Sequence, residues 1–290
     1  MDIMILHAIR VFKELQQKDF KMLAAMERWM RRYEFVPVNK LPALSGFTAK
    51  DVDYILRKLN KFRLITRQTA GYVGYKLTPA GHDVLALQKL VAQNVLQAFG
   101  TPLGIGKEAD IYDALMPDGE KVAVKFNRLG RTSFTRVGRL RQYTPKHGWI
   151  QASISATARE FKALEKLYPQ VSVPRPIAAD RHVIVMGLID GVELAKVTDI
   201  ADPRAVLDDV LENIKRSYSL GVVHADLSEH NILIKPSGEV LIIDWPQWVP
   251  TSHRNAQELL ERDVFNVLKY FRRKFRLKDD LSKVLEFTRA

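Results

Sequence analysis

Apolar residues recur at two different periods along this chain, and the switches between them outline its elements. Ile5, Ile9 and Phe12 fall on one face of a first helix, and a second is predicted from about Phe20 to Arg32, ahead of Pro37. Thr48 with Asp51 makes a capping-box-like start, after which Val52, Ile55, Leu56 and Leu59 repeat at i, i+3, i+4 and i+7. Leu64 to Gln68 and Tyr72 to Leu77 then read as two strands joined through Ala70 and Gly71. Thr78 and Pro79 open another helix, since proline is tolerated at a first helical position. Leu85 to Phe99 is expected to continue it until Gly100, Thr101 and Pro102 break the chain. Short helices, a capped helix and a two-stranded hairpin, in that order, make a winged helix over residues 1–99.

Beyond the break the strand period dominates. Asp110 to Met116 reads as a strand, Pro117-Asp118-Gly119 as a turn, and Lys121 to Phe126 as a second strand. Residues 127–148 hold six Arg or Lys, no acid and three Gly, without a sustained apolar period. Such an insertion reads as a mobile basic loop. A helix over Ala152 to Tyr168, a buried strand over His182 to Met186 and a helix over Pro203 to Leu220 follow. A strand then enters the polar loop from His224. Strand Ile232 to Ile234, a turn at Pro236 and Gly238, and strand Val240 to Ile243 end on Asp244. Two more helices, around Asn255 to Arg276 and from about Asp279, close the chain. The whole is an α+β protein with boundaries expected near residues 1–99, 100–188 and 189–290.

Charge changes this picture in one place. The chain of 290 residues carries a net charge of +12, and residues 1–94 contain 16 Lys and Arg against 8 Asp and Glu, so the first third is a basic module. On the capped helix Lys50, Tyr54, Arg57, Lys58 and Lys61 lie away from the apolar stripe, and the hairpin adds Arg67 and Lys76. That surface would suit phosphates, as would Arg131, Arg136, Arg139 and Arg141 of the basic loop. Winged helices also mediate protein contacts, and charge runs are commonly solvated faces. The chain has no cysteine, which excludes disulfides and thiolate metal sites. No apolar run reaches the length of a membrane span, so a soluble, cytoplasmic protein is expected.

The candidate chemistry lies at the end of the hairpin. Phosphoryl transfer needs a carboxylate to orient or deprotonate the attacking oxygen, and an amide and a second carboxylate to hold a metal on the phosphates. Asp226, Asn231 and Asp244 are those types in that order. Singly, each has a bland role, as a loop cap, a turn residue and a strand end. Upstream, Gly104 and Gly106 permit close backbone approach to phosphates and Lys107 adds charge, within the run Leu103-Gly-Ile-Gly-Lys-Glu108. Lys125 sits near the end of the strand KVAVKF. Glu160 is its candidate partner, beside Phe161 and Leu164 on the predicted helix; Glu165 shares that helix.

His224, Asp226 and Asn231 match the catalytic loop of the protein-kinase superfamily, and Lys121 to Phe126 matches its Val-Ala-x-Lys strand. By that match Met186 flanks the adenine pocket, and Gly187 C=O and Ile189 N–H contact the base. An activation segment and peptide-docking helices are missing from the 46 residues after Asp244, so the kinase is minimal. GIGKEADIY, Lys125, the basic insertion, Glu160, HADLSEHN and IIDWPQ together resemble the Rio family of atypical serine/threonine kinases. The winged helix resembles the second Rio subfamily, with an archaeal member expected. Ala109 replaces a frequent Ser, while Ala225 and Trp245 replace a commoner Gly and Phe.

The resemblance implies ATP with magnesium or manganese, a mainly monomeric protein, and a nucleotide-dependent role in maturing the small ribosomal subunit and its rRNA. It further implies ATP hydrolysis or self-phosphorylation, with Asp244 as a phosphoacceptor. Two other readings are a winged-helix DNA-binding regulator with a nucleotide sensor, and a small-molecule kinase. The second would need a larger C-terminal acceptor lobe than this chain supplies.

Overall fold

The computed structural model describes residues 4–129 and 148–290. Within them the chain forms two compact units, Met1–Phe99 and Gly100–Ala290. The expected phosphate contacts Arg131, Arg136, Arg139 and Arg141 lie outside the described residues.

The first unit holds helices α1 (Met4–Phe12), α2 (Gln17–Trp29), α3 (Leu41–Ser45), α4 (Ala49–Lys61) and α5 (Pro79–Ala92). Its strands β1 (Val36–Pro37), β2 (Ile65–Gln68) and β3 (Gly74–Leu77) form an antiparallel sheet in the order β1-β3-β2. Thr48 caps α4 by accepting from the Asp51 N–H at 3.2 Å, a contact worth about 1 kcal/mol. Val52, Ile55, Leu56 and Leu59 are all buried, as their spacing requires. A Cβ on Gly81 would meet the Leu64 carbonyl oxygen at 2.3 Å, so only glycine lets α5 pack against the strand entry.

One expected element ends early. The helix from Pro79 stops at Ala92, where Asn94 takes φ 57° and the N–H groups of Asn94 and Val95 return to the carbonyls of Val91 and Leu90. The chain then becomes strand β4 (Ala98–Ile105), which includes the Gly100-Thr101-Pro102 expected as a break. Pro102 fits there because β4 is an edge strand.

In the second unit β4, β5 (Ala109–Leu115), β6 (Lys121–Asn127), β7 (Pro176–Asp180) and β8 (Val183–Gly187) form a sheet in the order β4-β5-β6-β8-β7. Helix α6 (Trp149–Leu167) packs on β6, β7 and β8. Below it lies a helical layer: α7 (Pro203–Ser219), α8 (Ala256–Phe275) and α9 (Leu281–Arg289). Two small sheets sit against those helices. Strands β9 (Val192–Glu193), β11 (Ile232–Ile234) and β12 (Val240–Ile242) pair in the order β12-β11-β9, and β10 (Val222–Val223) pairs with β13 (Val249–Pro250). A single apolar cluster runs from Ala123, Ile184 and Met186 in the large sheet through Leu164 and Leu167 of α6 to Val264 and Phe271 of α8. Trp245 is buried within it, its indole N–H donating to the Ile242 carbonyl at 3.0 Å. The residues flanking the hairpin are therefore fixed by core packing from both layers.

Candidate active site

Strand alternation decides what β6 presents. Ala123, Lys125 and Asn127 line a cleft of about 530 Å³, while Val122, Val124 and Phe126 point to the other face. That volume suits a nucleotide-sized ligand, since such pockets span roughly 300–1,000 Å³. Glu160 belongs to the buried stripe of α6 with Ala156, Ala163 and Leu164, so it too faces the cleft. Lys125 Nζ donates to both Glu160 oxygens, at 2.7 and 2.9 Å, and to Asp244 Oδ1 at 2.7 Å. Burial pulls the Lys125 ammonium down, but the carboxylates of Asp244 and Glu160 outweigh it and hold its pKa above the usual lysine value. Burial pushes the Glu160 carboxyl up while Lys125 pulls it back. Both carboxylate oxygens accept from one ammonium, so the charged pair is the form this geometry fits.

The loop after β10 is held from below. Asp263 of α8 accepts the Ala225 N–H at 2.7 Å and the Leu227 N–H at 2.9 Å. Arg262 donates to the Ala225 carbonyl and Asn266 to the Leu227 carbonyl. Burial pushes the Asp263 carboxyl up to about 7 against the opposing pull of the two N–H donors and Arg262. Ala225 sits at φ 65°, in the left-handed region that costs a non-glycine residue about 1–2 kcal/mol, which accounts for the advantage of glycine at this position. His224 donates from Nε2 to the Ile243 carbonyl at 3.0 Å and lies 4.5 Å from the Trp245 ring. Its Nδ1 is buried without a hydrogen-bond partner, and burial pushes its pKa down to about 4, so the ring is neutral.

Between these anchors stand the polar side chains. Asn231 Nδ2 donates to the Asp226 carbonyl at 2.9 Å, and Gln247 Nε2 to Asp226 Oδ2 at 2.7 Å. Asp244, at φ 66°, is itself in the left-handed region, the kind of local strain that surrounding structure sustains at functional sites. Its side chain is 44% exposed and faces the cleft.

Of the residues singled out in the sequence, Gly104, Gly106, Glu108, Lys125, Glu160, Met186, Gly187, Ile189, Asn231 and Asp244 all line this one cleft. Lys107 and Asp226 are exposed and lie outside its lining. Gly106 donates its N–H to the Ala109 carbonyl at 2.8 Å in a tight turn, and a Cβ on Gly104 would meet nothing within 4 Å. The backbone there is open to an approaching ligand.

The basic face of the first unit is less uniform than its sequence implies. Lys50, Tyr54, Arg57, Lys61 and Arg67 are exposed. Lys58 is not available in the same way: its ammonium bonds the buried Asp19 at 2.6 Å and the Glu14 carbonyl at 2.9 Å. Lys76 is half-buried over the Phe35 ring and pairs with Glu34 at 3.3 Å. Sequence spacing puts both on the polar side but does not reveal their tertiary partners.

Three residues that sequence reasoning passes over complete the surroundings. Asp263 occupies a core-facing position between Leu260 and Val264, and an acid within an apolar helical stripe is its only signal. Gln247 enters only as the last residue of IIDWPQ, with no role read for it, and Arg159 carries no signal, because each reaches its partners across the fold.

Comparisons with known proteins bear on the family and the fold. Residues 110–284 match the model of the RIO domain, and residues 12–93 match that of the Rio2 N-terminal domain. The chain is 39% identical to the RIO-type serine/threonine-protein kinase Rio2 of Methanocaldococcus jannaschii, over 89% of this chain and 99% of that protein. It is 34% identical to the serine/threonine-protein kinase rio2 of Schizosaccharomyces pombe, over 94% of this chain and 81% of that one. A crystal structure of the Rio2 kinase of Chaetomium thermophilum, in an ADP/Mg2+-phosphoaspartate complex, superposes with a TM-score of 0.84 at 32% identity, covering 96% of this chain and 88% of that chain.

Proposed function

The chain belongs to the RIO family of serine/threonine kinases, on its Rio2 branch, and from that premise we propose that its cleft binds ATP with magnesium and passes the γ-phosphoryl group to Asp244, as a step in maturing the small ribosomal subunit in the cytoplasm. The observation that carries this reading is the Lys125 ammonium bonded at once to Glu160 and Asp244 on the cleft wall. A cation held by two carboxylates is positioned before the nucleotide arrives, which is what phosphoryl transfer asks of a protein.

The remaining roles follow from position. The backbone around Gly104 and Gly106 would take the phosphates, with Lys107 and Glu108 at its rim, and Met186, Gly187 and Ile189 would frame the adenine. Asn231 and Asp244 offer hard oxygen donors on the same cleft. No cluster of three or more His, Cys, Asp or Glu that would cage a metal exists among the described residues. That suits magnesium, which keeps waters and takes phosphate oxygens beside one or two protein ligands. Bound there, it would supply the positive charge that neutralises the transferring phosphates. Asp226 would orient the attacking water. The phosphoaspartate of the Chaetomium relative supports an aspartate as acceptor. The exposed Lys50, Tyr54, Arg57, Lys61 and Arg67 support contact with rRNA.

Asp226→Ala tests the assignment: ATP turnover should fall by several decades while nucleotide binding stays largely intact. Turnover equal to the parent protein would overturn it. Co-sedimentation with small ribosomal subunits, with and without Mg-ATP, tests the partner: binding that changes with nucleotide is expected, and binding to duplex DNA alone would refute it.

A further inference from the structure

The segment after Asp244 is clamped on both sides of a single residue. Arg159, next to Glu160 on α6, donates from Nε to the Pro246 carbonyl at 3.0 Å and from Nη2 to the Trp248 carbonyl at 2.5 Å. The Trp248 indole N–H returns a bond to the Arg159 carbonyl at 2.8 Å. Gln247, between the two pinned residues, is the one whose side chain turns to Asp226, donating from Nε2 to Oδ2 at 2.7 Å. The clamp thus fixes the backbone that aims Gln247, and Gln247 fixes the plane of the Asp226 carboxylate. The Asp226 backbone is held independently, by Asn231 at its carbonyl and by the flanking N–H bonds to Asp263.

The chemistry separates two steps that such an orientation would serve unequally. If Asp244 accepts the phosphoryl group, as read above, its attacking carboxylate oxygen carries no proton; the new P–O bond forms as the bond to ADP breaks, and no base is required. Release is different. A water oxygen must attack the phosphorus, the bond from phosphorus to the Asp244 oxygen breaks, and a proton must leave the water as inorganic phosphate forms. A carboxylate within reach of that water has to receive the proton in a defined direction.

We propose that Gln247 is a positioning residue for this release step: it orients Asp226 as the base for the water that frees the phosphoryl group from Asp244. The inference rests on the Asp244 acceptor reading. Formation of the phosphoenzyme needs Gln247 little, and its hydrolysis needs Gln247 much.

The test follows the full-length protein with γ-labelled Mg-ATP, quenched in acid and counted for hydroxylamine-labile phosphate, together with inorganic phosphate release. In Gln247→Ala the rate of label incorporation should match the parent, while decay after a chase of unlabelled ATP slows about ten- to a hundredfold, the value of a hydrogen bond to a charged group. Gln247→Glu puts an acceptor where the Nε2 donor stood, so its decay should be slow as well. Label that forms and decays in Gln247→Ala as in the parent would overturn the role of Gln247 and leave Asp244 as acceptor. Formation and decay falling together, with weakened nucleotide binding, would overturn it in favour of a structural role. Absence of hydroxylamine-labile label in the parent itself would overturn the Asp244 reading and this inference with it.

Discussion

The cleft of the second unit and the basic face of the first both carry charge, yet they hold it in opposite ways. In the cleft a single ammonium meets two carboxylates within 2.9 Å; Lys125 is 8% and Glu160 2% exposed at the side chain, while Asp244, at 44%, opens to the cleft. On the winged helix the charges are spread and solvated: Arg57 pairs with Asp53 at 2.6 Å, but their side chains are 80% and 60% exposed. The first arrangement is worth most where dielectric is low and geometry fixed, and the second adds many small, salt-screened contributions. Single substitutions should therefore be decisive in one region and graded in the other.

The sharpest contrast comes from Lys125→Ala, which removes the cation that faces both carboxylates. Turnover should fall roughly a thousandfold or more, read by phosphate release at saturating Mg-ATP. A loss below tenfold would break the comparison. Next in size is Asp263→Ala, which touches no ligand but leaves the Ala225 and Leu227 N–H groups unpaired in the interior. A destabilisation of about 2–5 kcal/mol is expected in urea unfolding, with Asp263→Asn closer to the parent because one acceptor oxygen survives.

The neutral His224 gives a pH signature of similar size. Its folded pKa, about 4, lies below the ordinary 6.5, so the unfolded chain takes up a proton first as pH falls. Its contribution is fully present above pH 6.5 and is lost progressively down to about pH 4, by up to about 3 kcal/mol. Urea titrations across that window should show a shallower loss in His224→Asn.

The smallest effects lie on the winged helix, where two lysines three residues apart should behave differently. Lys58→Ala deprives the buried Asp19 of its cation and should cost about 2 kcal/mol in thermal unfolding. Lys61→Ala should leave stability unchanged and lower the salt slope of RNA binding by about one. Equal behaviour of the two would erase the distinction between a tied and a solvated cation.

The periodic elements are legible in the chain because their signals are local. The capped helix from Thr48, the strand with Lys125, the Glu160 helix and the hairpin ending on Asp244 all come from spacing and turn chemistry, whereas Met186, Gly187 and Ile189 come only from the kinase resemblance; with the glycine-rich run, ten of the residues singled out line one cleft. The differences are also local in origin. Apolar spacing extends the helix beyond Ala92 because Asn94 can end a helix by adopting positive φ, a conformational choice that such spacing does not register. Strand β7 and the short β1 and β9 leave little trace because their pairing partners, rather than their own patterns, make them strands.

What the sequence determined by itself is therefore the inventory: an α+β chain with a basic winged helix and the side chains of a minimal kinase, on periodic elements or on the loops between them. Tertiary structure alone joined Asp244 to the Lys125–Glu160 pair and set Gln247, Arg159 and Asp263 against their partners. Lys125 and Asp244 are 119 residues apart, and Gln247, Arg159 and Asp263 reach their partners across the fold. Long-range contacts of this kind leave no period, because the free energy that selects them comes from closing the core around them rather than from the residues beside them in the chain.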